Sequence, residues 1–146
     1  MILATDFKCF VKILFSVCLL FFQRASIFAQ NQKVADSLVK IYQKNKLENS
    51  EKLELLRNLS FNEVNNLELS LKYADELIAL SKLEKNYLYL HRGYYQKGNK
   101  NRLIGDLNKA LNDFFKSAEA ASKAKFITGK GVAYMSIADV YSIMGN

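Results

Sequence analysis

The chain has 146 residues, half of them hydrophobic, with no proline, no tryptophan and a formal charge of +7. That length gives one domain with a buried core. Its single histidine, His91, excludes a histidine metal cluster and would leave a Ser/His/Asp triad resting on one residue.

Lys8 and Lys12 precede the apolar run Ile13 to Phe22, and Ile27-Phe28-Ala29 closes on a small residue. This three-part layout predicts a secretory signal over residues 1–29, cleaved after Ala29. The run of about ten residues falls short of the roughly twenty that span a bilayer as a helix. Cleavage leaves 18 basic and 13 acidic residues, a balance of +5, and removes both cysteines, Cys9 and Cys18. Disulfides, thiolate metal sites and cysteine nucleophiles are then excluded. The product is expected outside the cytoplasm, periplasmic or otherwise extracytoplasmic, and attached to a membrane only through the signal segment or a helix beyond residue 146. Export and the mixed sign of the charges along the chain argue against nucleic acid as a partner.

Residues 30–50 read as an N-terminal helix and linker, with Val34, Leu38, Ile41 and Tyr42 on one face of a helix over 33–45. Asn49 or Ser50 can cap a second helix over 51–63 that carries Leu53, Leu56 and Leu59. Asn65 and Glu68 stand at capping-box spacing before a third helix ending near Leu83. Asn86 starts a fourth, which closes at Ile104-Gly105, where glycine can take the left-handed conformation. Asp106 caps a fifth, with Leu107, Ala110, Leu111, Phe114, Ala118 and Ala121 inward. Gly129-Lys130-Gly131 reads as a joint before a sixth helix bearing Tyr134, Ile137, Ala138 and Tyr141.

The turns Asn65-Asn66, Gly105-Asp106 and Gly145-Asn146 recur every 40 residues. Flanking positions recur with them: Ser70 and Leu71 answer to Ala110 and Leu111, Ala74 to Phe114, Tyr94 to Tyr134, and Asn58 to Gly98 and Ala138. Small residues recur where two helices of a hairpin must approach, and large ones where the gap is filled. Two helices per unit at this period predict an all-α fold of antiparallel hairpins stacked as a short solenoid.

At these positions the chain resembles the tetratricopeptide repeat (TPR) family. From the Gly105-Asp106 turn, the family's motif lays its first large residue on Tyr94, its small residues on Gly98 and Ala110, and its aromatic on Phe114. The last unit matches through Tyr134, Ile137, Ala138, Tyr141 and Gly145. The resemblance covers residues 51–146, as units 51–85, 86–127 and an incomplete 128–146, and implies that these positions are packing residues. The departures are Lys97, Asn101 and Ser117 in place of the family's leucine, tyrosine and alanine, and a period of 40 against roughly 34.

The resemblance also places Arg92, Tyr95, Asn99 and Arg102 on the concave surface, where arginine and asparagine could hold a carboxylate or peptide backbone and tyrosine could add an amphipathic contact. The runs LRNLSFNEVNNLELSLKYADELIAL and YLHRGYYQKGNKNRLIGDLNKAL further resemble exported repeat regions of bacterial adenylate/guanylate cyclases and sensor histidine kinases. Together these imply a non-catalytic protein or peptide-binding module, the sensory or scaffold part of a signalling protein, here shortened. A free-standing scaffold that associates with itself is the alternative. No catalytic residue, metal ligand or cofactor is assigned: Gly98, Gly105, Gly129 and Gly131 form no phosphate loop, and Asp75 and Glu76 diverge on a helix. His91 is read as structural or surface.

Overall fold

The computed structural model describes residues 31–44 and 46–145. The predicted signal segment with Cys9 and Cys18, and the last residue of the Gly145-Asn146 turn, lie outside the described residues. Among the described residues all regular structure is helical: α1 (31–44), α2 (Asn49–Asn62), α3 (Leu67–Leu83), α4 (Tyr87–Ile104), α5 (Leu107–Lys123) and α6 (Ile127–Ile143).

Local chemistry sets these limits with a 40-residue period. α3 and α5 begin at Leu67 and Leu107, α4 and α6 at Tyr87 and Ile127. Asn66, Asn86 and Asp106 each cap the following helix, their side-chain oxygens accepting from the backbone N–H of Leu69, Tyr89 and Lys109. The ends of α3 to α6 repeat as well. Lys85 and Lys125 take positive φ (53° and 55°), and Gly105 and Gly145 do the same (89° and 77°). Behind them the N–H of Asn86, Asp106 and Phe126 reaches back five residues to the carbonyls of Ser81, Asn101 and Ala121. This is the left-handed closure that satisfies the last carbonyls of a helix and turns the chain back in two or three residues.

Three local expectations are corrected. The third helix is capped by Asn66 rather than Asn65, because Glu63 Oε1 already accepts from the N–H of both Asn65 and Asn66. α2 begins after Glu48 without a side-chain cap, since Asn49 sits at φ 51° inside the first turn. Gly129-Lys130-Gly131 is no joint. Lys125 closes α5, so α6 has begun by Ile127, and Gly129 lies buried in its first turn.

Packing runs along the chain. Consecutive helices from α2 to α6 pair, and α4 also touches α2 and α6; no other pair of these helices packs. α3 and α5 therefore leave a gap between them that α4 floors. One core cluster, Leu53, Leu55, Leu56, Leu59, Tyr73 and Leu77, is covered by Leu38, Val39 and Tyr42 of α1. Tyr42 donates to Glu76 Oε2 at 2.9 Å and meets Tyr73 edge-on; burial, then the Glu76 carboxylate, pushes its hydroxyl up to about 12. The second cluster joins Ala110 and Phe114 of α5 to Ile137 and Val140 of α6. Each element thus depends on its sequence neighbours, the arrangement of a linear stack of repeated units.

Candidate functional site

α4 and α6 occupy equivalent places in successive units, and comparing them defines the site. On α4, one side faces back to α3: Gly93 lies so close that a Cβ would stand 2.8 Å from Ile78 Cγ1. The other side faces α5. Gly98 lies under Phe114, and Asn101 Nδ2 donates to Asp113 Oδ2 at 2.8 Å. Asn101 and Asp113 are both buried, which raises the Asp113 carboxyl above its ordinary range; the Asn101 donor opposes that shift only in part.

On α6 the backward side repeats this: Ala133, Ile137 and Val140, forty residues after Gly93, Lys97 and Lys100, are buried against the preceding unit. The forward side does not. Tyr134, Ala138 and Tyr141, the counterparts of Tyr94, Gly98 and Asn101, were expected as packing residues and are exposed, Tyr134 to 50% and Tyr141 to 39%. No described element lies against them. Of the other packing positions, Gly98, Ala110 and Phe114 are buried and Gly105 is an exposed helix terminus.

The exposed side of α6 is apolar. Only Lys130 and Asp139 among its seventeen residues are charged, and Met135, Ile143 and Met144 extend the bare surface. Lys130 stands 5.9 Å from the centroid of the Tyr134 ring, and Thr128, Asp139 and Ser142 are exposed on the same helix.

The four residues expected to line a concave groove do lie along one strip of α4, between α2 and α6, and part of their chemistry is already engaged. Arg92 Nη1 is 3.4 Å from Glu54 Oε2 and its guanidinium lies 4.9 Å above the Tyr89 ring, while Tyr89 donates to the same carboxylate at 2.9 Å. Tyr95 packs against Phe114 and His91 and accepts from Ser136 Oγ at 3.5 Å, tying α4 to α6. Asn99 and Arg102 retain donors; the Arg102 Nε is enclosed without a partner among the described residues. Glu54 organises this strip through a contact across 38 positions, which sequence pattern does not reveal.

His91 is structural. Its Nδ1 stands 2.8 Å from Ser117 Oγ, Phe126 meets its ring edge-on, and Gly129 of α6 leaves room for Nε2. Burial pushes the imidazole pKa down, and the nearby Arg92 charge does the same; the Ser117 carbonyl pulls it up by less. Among the described residues no group of three or more His, Cys, Asp or Glu is placed to hold a metal ion, and no helix is long and apolar enough to cross a membrane. No family model matches the chain, and neither does any curated protein or solved structure.

Proposed function

We propose that this chain is a non-catalytic protein–protein interaction module built as a TPR-like solenoid. It acts outside the cytoplasm as the sensory or scaffold region of a signalling protein such as an adenylate or guanylate cyclase. One observation supports the interaction reading: the forward side of α6 corresponds, at the same 40-residue spacing, to the side of α4 on which α5 is seated, and no described element covers it. The partner element is therefore a helix antiparallel to α6, with a side chain smaller than phenylalanine over Ala138, whose Cβ takes the room that Gly98 leaves for Phe114, and an apolar or hydrogen-bonding residue at Tyr141. The export and signalling parts of the reading rest on the layout of residues 1–29 and on the sequence resemblance to exported repeat regions.

A synthetic peptide of residues 105–126 with Phe114→Leu, which contains α5 and leaves room for the Ala138 Cβ, is the test. Titrated into the full chain, it should bind saturably through α6. Ala138→Trp, which fills the place of the incoming side chain, should abolish binding while leaving helicity intact. No saturable binding, or equal binding by the variant, would remove the interaction reading.

A further inference from the structure

Away from α6, the gap between α3 and α5 is a polar cleft. It encloses about 440 Å³, with Lys82 of α3 and Lys116 of α5 on its walls and Tyr94 of α4 on its floor. A second cleft of about 250 Å³ adjoins it and shares Lys82, Tyr94 and Lys116. Volumes of this order suit a small ligand.

The charges are not balanced within it. Lys97 is held by Asp75 at 2.6 Å, Lys109 by Asp106 at 2.6 Å and Lys123 by Glu119 at 2.7 Å. Asp113 also lines the cleft; its buried carboxylate accepts from Asn101 and is attracted by Lys97 and Lys116, so it offsets part of the lysine charge. Lys82 and Lys116 have no carboxylate within ion-pair distance among the described residues. Both ammonium groups lie 5.7 Å from the centroid of the same Tyr94 ring. Two like charges are thus gathered from different helices around one aromatic ring, an arrangement that an anion near both would relieve.

The kind of cation indicates the kind of anion. Every basic residue lining the two clefts is a lysine, a compact point charge, whereas planar carboxylates are best matched by the arginine fork. Two lysines outside ion pairs, in a cleft that holds more lysines than carboxylates, match an anionic group such as a phosphomonoester, which carries close to two negative charges near neutral pH. We propose that the cleft between α3 and α5 is a binding site for a soluble phosphate or phosphomonoester, held between Lys82 and Lys116 over Tyr94. This site is independent of the α6 surface, from which it differs in face, polarity and ligand.

Calorimetric titration of the full chain with inorganic phosphate, and separately with tetraglutamate, at constant ionic strength tests the assignment. Phosphate should bind saturably and more tightly than tetraglutamate. Lys82→Gln/Lys116→Gln should weaken phosphate binding by about tenfold or more. Lys40→Gln/Lys44→Gln, two exposed positions on α1 that remove the same charge, should leave it unchanged, with helicity by circular dichroism retained in both variants. Absence of saturable phosphate binding, tighter binding of tetraglutamate, or equal weakening in the two double variants would overturn the site.

Discussion

Gly98 and Phe114 meet without room for another carbon: a Cβ on Gly98 would stand 2.8 Å from the Cδ1 and Cε1 atoms of the Phe114 ring. Phe114 is fully buried there, in the cluster that also holds Ala110, Ile137 and Val140. The central hairpin therefore closes on a glycine in mid-helix, a position where alanine would otherwise be preferred by about 1 kcal/mol.

Gly98→Ala should consequently destabilise the chain despite its better helix propensity, by about 1–2 kcal/mol once overpacking is set against it. Phe114→Ala should lose about 3–5 kcal/mol through the cavity it leaves. In Gly98→Ala/Phe114→Ala the combined loss should fall short of the sum of the two single losses, because the smaller side chain vacates the space the new methyl needs. Urea denaturation of the four proteins would show it; additive losses would mean that the two residues do not share one space.

Gly129 and Gly131 are two residues apart on α6 and should respond oppositely to alanine. A Cβ on Gly129 would lie 2.3 Å from Phe126 Cδ1 and 2.6 Å from His91 Nε2, whereas one on Gly131 meets nothing within 4 Å. Gly129→Ala should lower the thermal midpoint and Gly131→Ala should raise stability by about 0.5–1 kcal/mol. Matching shifts of the same sign would contradict the position of α6.

Lys85 and Lys125 hold left-handed backbone at φ 53° and 55°, where glycine is unstrained. Lys85→Gly and Lys125→Gly should each stabilise by about 0.5 kcal/mol, the left-handed penalty exceeding the entropy glycine adds to the unfolded chain. Gly105→Ala, at φ 89°, should destabilise by about 1 kcal/mol or more. Chemical denaturation midpoints of the three variants decide this.

His91 links stability to pH. Burial sets its native pKa below the ordinary 6.5, so the unfolded chain takes up the proton first. The stability from holding His91 neutral is therefore full above pH 6.5 and is lost as pH falls below that value through the depressed native pKa. His91→Asn should flatten the stability profile between pH 7.5 and 5, measured as the urea midpoint in steps of about half a unit. A profile as steep as that of the unaltered chain would show that another group is responsible.

Much of the fold was legible because its period is written in residues with local roles. Asn86, Asp106, Gly105 and the apolar stripe of α5 act within a few residues of themselves, and those elements lie where they were expected. The start of α6 was misread because two glycines look like a loop, whereas the closure at Lys125 is made by backbone hydrogen bonds and a left-handed lysine that carry no compositional signal. Tyr134, Ala138 and Tyr141 were read as packing positions and are exposed, because none of the described elements lies against them. The engagement of Arg92 by Glu54 depends on a contact across 38 positions, which pattern does not reveal. The cleft left a trace: Lys109, Lys116 and Lys123 recur every seven residues along α5.

The equivalence of α6 to α4 can be tested by disulfide trapping. The chain would carry Ala138→Cys with Cys9→Ser and Cys18→Ser, and the peptide of residues 105–126 would carry Phe114→Cys, or Phe115→Cys on its outer side as control. Because Gly98 lies against Phe114 on α4, cross-linking should be fast with cysteine at 114 and slow at 115. Equal rates at the two positions, or no cross-link at either, would contradict the proposal that α6 offers the same helix-accepting side as α4.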